Sequence, residues 1–250
     1  MKDIILKENE RIDDLEYKGL KIIQNKNWFC FGIDSVILTG FARDTKKQSK
    51  ILDLGTGTGI IAILMSRKIE NSHITAVEIQ KEVAEMAQRS VIMNELEKDV
   101  EIINEDIKNI YKILNKGSFD VVITNPPYKE KNTGIINEND VKMISRHEIT
   151  ASLEDFIKVA SEQLKDKGTF YMINRPERIA DILECLRKYK LEPKIIRFVQ
   201  PNKDKAPNEV LIKAVKNGGK FLKVEKPLYI YEKNGDYTNE ILEIYEKINN

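Results

Sequence analysis

A chain of 250 residues, 41% hydrophobic and 32% charged, has the length and apolar content for one large α/β domain or two small ones with an ample core. Its 41 lysines and arginines stand against 40 acidic residues, a net charge of +1, so the average composition argues neither for nor against nucleic acid, and any basic surface has to be local. Its two cysteines and two histidines (Cys30, Cys185, His73, His147) stand in no metal-ligand spacing, which argues against zinc and a disulfide framework and suits a reducing cytoplasm. The charged start Met1-Lys2-Asp3 does not read as a signal peptide. No apolar run approaches the roughly 18 residues of a membrane helix.

The first strong element is a short apolar strand over 50–54, followed by the glycine turn Gly55-Thr56-Gly57-Thr58-Gly59 and a helix over 60–68. A second strand over 74–78 ends on Glu78, and a helix with an apolar stripe covers 81–94. A third strand, 100–104, ends near Asp106; the fourth, 119–124, is stopped by Pro126 and Pro127. A long irregular piece, 129–150, separates it from a helix over 153–164. A fifth strand over 168–173, a helix over 178–189 and two closing strands over 194–199 and 209–215 follow, with a polar loop, 200–208, between the last two. Residues 221–231 read as an extended appendage, and 238–248 as a terminal helix capped by Thr238. Strands alternating with helices predict a seven-stranded, mostly parallel sheet with helices on both faces. The expected division is an N-terminal segment 1–49, a single domain 50–217 and a C-terminal extension 218–250.

The chemistry gathers where the strands end. In Asn125-Pro126-Pro127-Tyr128, Asn125 offers a side-chain carbonyl. Pro126 offers a backbone carbonyl on a fixed φ, and Tyr128 offers a flat face. Two acceptors can take both hydrogens of a planar NH2 group and draw its lone pair out of conjugation. The glycine run after Asp53 has the spacing GxGxG, not the GxGxxG of dinucleotide folds. Glu78, about 25 residues after Asp53, stands where a carboxylate accepts from ribose hydroxyls. Asp106 suits an adenine amino group, with the Ile107 amide donating to the ring; it equally suits an N-cap for 107–114. Ile79 suits the face of a planar ring and equally the core.

Together Asp53, Gly55, Thr56, Gly57, Gly59, Glu78, Asp106 and the Asn-Pro-Pro-Tyr tetrapeptide resemble the Rossmann-like S-adenosylmethionine-dependent methyltransferases of the branch that methylates exocyclic or amide nitrogens. Arg11-Ile12-Asp13-Asp14-Leu15, the stretch 29–38 and Arg146-His147-Glu148 narrow the likeness to the bacterial tRNA(Val) adenine-N6 methyltransferases. The resemblance covers roughly residues 10–216. It implies S-adenosylmethionine as cofactor, with Phe31, Gly32 and Asp34 closing the methionine end. It implies an adenine 3′ of the anticodon as target, held by Asn125 and Pro126 and stacked on Tyr128. On the residues alone, Phe29 and Phe31 also suit core positions, and Asp34 also suits a helix N-cap. Lys129, Arg146 and His147 are candidates for tRNA contact. Lys131, Arg175, Arg178, Lys203 and Lys205 fall in loops near the same mouth. No metal is expected, and monomer and homodimer stay open.

Two other substrates use the same tetrapeptide: glutamine-N5 of release factors and guanine-N2 of ribosomal RNA. The first group carries a helical N-terminal domain, whereas only about 50 residues precede the glycine strand here. The second often carries a duplicated domain, and no repeat is visible. A non-catalytic RNA-binding module is a further alternative, disfavoured by the intact Asp53, Glu78 and Asn125.

Overall fold

The structure, a computed structural model, describes residues 4–28, 32–127 and 151–247. The chain begins with a hairpin of β1 (Glu10–Asp14) and β2 (Lys21–Asn25), then α1 (Ile33–Phe41). The alternating part runs β3 (Lys50–Leu54), α2 (Ile60–Lys68), β4 (His73–Glu78), α3 (Lys81–Met93), β5 (Val100–Asn104) and β6 (Phe119–Thr124). Then come α4 (Leu153–Gln163), β7 (Leu164–Asn174), α5 (Ile179–Lys188), β8 (Leu191–Gln200) and β9 (Glu209–Lys216). Two short strands, β10 (Lys223–Val224) and β11 (Leu228–Tyr229), and a last helix, α6 (Asn239–Ile244), complete the described residues.

The seven expected strands form one sheet in the order β8-β9-β7-β6-β3-β4-β5, with β10 and β11 added alongside β8 to make nine. Every pairing is parallel except those of β9, which runs antiparallel to both β7 and β8. The fold expected from the sequence therefore stands, with two short strands added from the stretch read as an appendage.

Fully buried strands make near-continuous apolar runs. One face of the sheet packs Ile51, Ile123, Tyr171 and Ile173 against α1, α2 and Ile241 of α6. The other packs Leu52, Val122, Phe170 and Met172 against α4 and α5. Helix α4 starts on a capping box: Ser152 Oγ accepts from the Asp155 amide at 3.2 Å, and Asp155 Oδ2 accepts from the Ser152 amide at 2.8 Å.

The hairpin β1–β2 is absent from the sequence-based expectation. It is short and half-exposed and owes its place to α3, not to its own pattern. Ser90 Oγ accepts from the Ile23 amide at 3.0 Å, and the Asn94 side chain accepts from the Lys21 amide at 2.9 Å and donates to the Lys21 carbonyl at 2.6 Å. At the other end of the chain, α6 seats Ile244 on Gly40 of α1. A Cβ at Gly40 would come within 2.7 Å of that isoleucine. Lys68 donates to the Ile244 carbonyl at 2.6 Å, and the Tyr17 hydroxyl donates to Glu246.

Candidate active site

Because β3 to β7 run parallel, their carboxyl ends share one edge of the sheet, the edge at which open α/β folds bind ligands. After β3, Gly55, Gly57 and Gly59 take φ of +70°, +57° and +91°, values that disfavour any side chain. A Cβ on Gly55 would also press to 3.2 Å from the Phe156 ring, whereas one on Gly57 would meet open space. The turn is stitched to the neighbouring strand: the Gly55 and Thr56 amides both donate to the Val77 carbonyl at 2.9 Å.

Glu78, 5% exposed at the end of β4, holds the turn from the side. Its Oε2 accepts from the Gly57 amide at 3.0 Å and its Oε1 from the Gln80 amide at 2.9 Å. A carboxylate has lone pairs for further donors beyond these two. The Asn104 side chain donates to the carbonyls of Glu78 and Ile79 at 2.9 and 3.0 Å, fixing the backbone that presents Ile79. Ile79 is 40% exposed, an apolar face at an otherwise polar edge.

Asp53 is fully buried beneath the turn. Its Oδ2 accepts from the Thr56 hydroxyl, while Oδ1 has no hydrogen-bond partner among the described residues. Burial pushes its carboxyl up to about 7, and the charge of Glu78 adds to the rise; the Thr56 hydroxyl and the Ala62 amide act against it. A buried acceptor left open beside a second carboxylate suits a ligand that brings a positively charged donor.

Asp106 caps the short 3-10 helix Ile107–Lys112, its Oδ1 accepting from the Lys108 amide at 2.9 Å. The capping role anticipated for it is thus real, though the helix is shorter than 107–114. Ile107 is buried beneath it.

At the end of β6 the Thr124 hydroxyl donates to the Leu54 carbonyl at 2.8 Å, tying this strand end to that of β3. Pro126 is buried and Pro127 exposed. The Asn125 amide donates from Nδ2 to Asp34 Oδ2 at 2.8 Å and to Ser35 Oγ at 3.4 Å. A carboxylate only accepts, so the amide nitrogen must face Asp34 and the carbonyl oxygen turns the other way. Asp34 therefore fixes which end of Asn125 is presented. It does not cap α1, as one reading of the sequence had it. Gly32 occupies the N-cap, and Asp34 lies in the first turn with its side chain turned onto Asn125.

A family model described as methyltransferase small domain matches residues 34–190. The chain belongs to this methyltransferase family. Among curated relatives, a protein of Haemophilus influenzae is 25% identical over 91% of this chain and 94% of its own length, and one of Histophilus somni 27% identical over 91% and 93%. One of Porphyromonas gingivalis is 26% identical over 80% and 79%. All three are named tRNA1(Val) (adenine(37)-N6)-methyltransferase. Among solved structures, one described as a predicted O-methyltransferase from Agrobacterium tumefaciens superposes with a TM-score of 0.70 at 22% identity, covering 85% of this chain and 95% of that one. Geranyl diphosphate C-methyltransferase from Streptomyces coelicolor gives 0.56 at 13% identity, covering 72% and 79%. These two show the shared fold.

In this methyltransferase the structure brings Asp53, Gly55, Thr56, Gly57, Gly59, Glu78, Ile79, Asp106, Asn125 and Pro126 to one sheet edge, with Asp34 laid over it from α1. Phe31, Tyr128, Lys129, Lys131, Arg146 and His147 lie outside the described residues. Arg175 follows β7 at the same edge and donates to the Asn208 carbonyl at 2.9 Å; Lys203 and Lys205 are exposed in the loop before β9. Two polar residues escaped the reading of the sequence. Ser35 was counted only within a likeness. Glu209 is an acid at the entrance of β9, before the apolar run Val210-Leu211-Ile212, and a lone acid there gives no local sign of its burial.

Proposed function

We propose that this chain transfers a methyl group from S-adenosylmethionine to the exocyclic N6 of an adenine in tRNA, next to the anticodon. The observation that carries the reading is the locked Asn125 amide. At the end of β6 a buried carboxylate holds its nitrogen, so its oxygen is set in advance as an acceptor for an NH2 group. The names of relatives that match nearly full length supply the adenine and the tRNA.

The residues present fit the cofactor. S-adenosylmethionine supplies an electrophilic methyl group on a positively charged sulfur. The open Asp53 oxygen and the second acid, Glu78, favour a cationic ligand. Glu78 is placed to hold the ribose hydroxyls and the exposed Ile79 to flank the adenine. Asp106 with the Ile107 amide is placed to hold the adenine edge, and the Gly57 turn lets the backbone approach closely.

On the substrate side, the Asn125 oxygen and the Pro126 carbonyl hold the two amine hydrogens and localise the nitrogen lone pair. These dipoles are fixed before the reaction and favour the positive charge that grows on nitrogen. No strong base is needed before attack, because the methylated nitrogen is the more acidic one. Tyr128 stacks on the target base, and Lys129, Arg146 and His147 contact the RNA in this proposal. A base in an anticodon loop is unpaired, so turning it out costs less than from a duplex. The proposed location is the cytoplasm, where tRNA is; among the described residues no helix is long and apolar enough to cross a membrane.

The test is mass spectrometry of tRNA nucleosides from cells with and without the protein. Loss of N6-methyladenosine from one valine tRNA is the expected result. An unchanged tRNA pool rejects tRNA adenine and moves the amine to ribosomal guanine or protein glutamine.

A further inference from the structure

Glu209 is only 8% exposed, and its Oε2 has no hydrogen-bond partner among the described residues. It opens β9, opposite Val199 of β8. Side chains two apart on a strand share a face. Leu211, two residues on, packs in the cluster beneath α1, as do Val199, Ile173 and Ile123. Asn125, two residues after Ile123, points to that same face. Glu209 and Asn125 thus flank β7 from either side, at the same sheet edge, with the Asp34 carboxyl reaching in from α1.

The charged groups that face Glu209 among the described residues are Asp34 on α1 and Arg175 after β7. The Arg175 guanidinium is also engaged by the Asn208 carbonyl. From β8 come Val199 and Gln200, which carry no charge. Burial first, and then the Asp34 charge, push the Glu209 carboxyl up to about 7, with Arg175 acting against both. A buried carboxyl with an open oxygen and a like charge beside it is unfavourable for the apo fold. Such groups cluster where a ligand or a reaction uses them.

We propose that Glu209 is a positioning residue for the methyl transfer, acting through Asp34, the carboxyl that holds the Asn125 amide nitrogen. This rests on the amine-methylation reading above. The nitrogen lone pair forms the N–CH3 bond as the S–CH3 bond breaks, its electrons staying on sulfur. The positive charge passed to nitrogen is stabilised by the two carboxylates through space. The proton that nitrogen then sheds goes to solvent. The negative charge of Glu209 is needed for the full effect, so the step quickens as Glu209 loses its proton.

The experiment is single-turnover methylation of an unmodified valine tRNA transcript with saturating S-adenosylmethionine, from about pH 5.5 to about pH 8.5. The wild-type rate is expected to climb about tenfold through neutrality. Glu209→Gln, a neutral stand-in for the protonated acid, should stay near the wild-type low-pH rate throughout. A second readout needs no substrate: carboxyl-carbon NMR of glutamate-labelled protein. One resonance should titrate near neutrality, vanish in Glu209→Gln and move to lower pH in Asp34→Asn. Superimposable pH profiles for wild type and Glu209→Gln overturn the proposal, as does the lack of any glutamate titrating near neutrality. A wild type that leaves the transcript unmethylated sinks the tRNA reading instead, and the NMR titration still decides the carboxyl pair.

Discussion

The two ends of the same strands are built on opposite plans. At the amino edge the acids and bases answer one another. Asp120 accepts from the Lys50 amide at 2.9 Å and from the Lys165 ammonium at 2.6 Å. Lys216 donates to the Leu164 carbonyl at 2.7 Å, and Asn217 donates to Asp166 at 2.8 Å. At the carboxyl edge Asp53, Glu78, Asp34 and Glu209 are all buried, and Asp53 Oδ1 and Glu209 Oε2 have no hydrogen-bond partner among the described residues. Surface pairs like those of the amino edge cost little and contribute little. Buried, incompletely answered acids cost stability and persist where something else uses them. The contrast marks the functional edge without reference to any relative, and its sign, negative, suits ligands that carry positive charge into it.

The contrast breaks most visibly at Asn125. Asn125→Ala should lower methyl transfer by about a hundredfold to a thousandfold, while calorimetry shows S-adenosylmethionine still bound; retained turnover would remove Asn125 from the amine site. A smaller effect lies in stability. Asp53 binds its proton more tightly folded than unfolded, so its stabilising contribution is complete below the ordinary carboxylate range. That contribution is lost as pH rises through about 7. Glu209 follows the same sign. The melting temperature of the apo protein should therefore fall between about pH 5 and about pH 7.5. Asp53→Asn should flatten that slope, and a mutant melting with the full wild-type slope would refute the buried-acid account. The smallest effect belongs to the amino edge. Burial alone would raise the Asp120 carboxyl, but its bonds from Lys165 and Lys50 hold it below its usual range. Asp120→Ala should cost about 1 kcal/mol or less and leave turnover unchanged; a large loss of activity would show that the two edges are coupled.

The strands β3 to β9 and their helices were legible because an apolar run, a glycine turn and a helical stripe are local patterns. The glycine turn and Asn125 were legible as well, since each announces its chemistry within a few residues. The hairpin β1–β2 was not, because its half-exposed strands are held by Ser90 and Asn94, some 70 residues away. Asp34 showed the same limit. A carboxylate near a helix start reads as a cap, and only the tertiary fold reveals Asn125 across from it. Glu209 was hidden for the complementary reason. Its strand was recognised, but a single acid at a strand entrance carries no local sign of burial.

The seat of α6 on Gly40 bears on the order in which the molecule is assembled. Tyr17 and Glu246 meet across 229 positions of chain, and Lys68 and the Ile244 carbonyl across 176. Closing contacts of such span comes late in folding, and during synthesis the earlier segments wait for their partners. The outer flank of the helix that bears Asp34 therefore stays bare while the sheet is being made. The helix that bears Asp34 thus gains its outer cover only after residues 239–246 have been made.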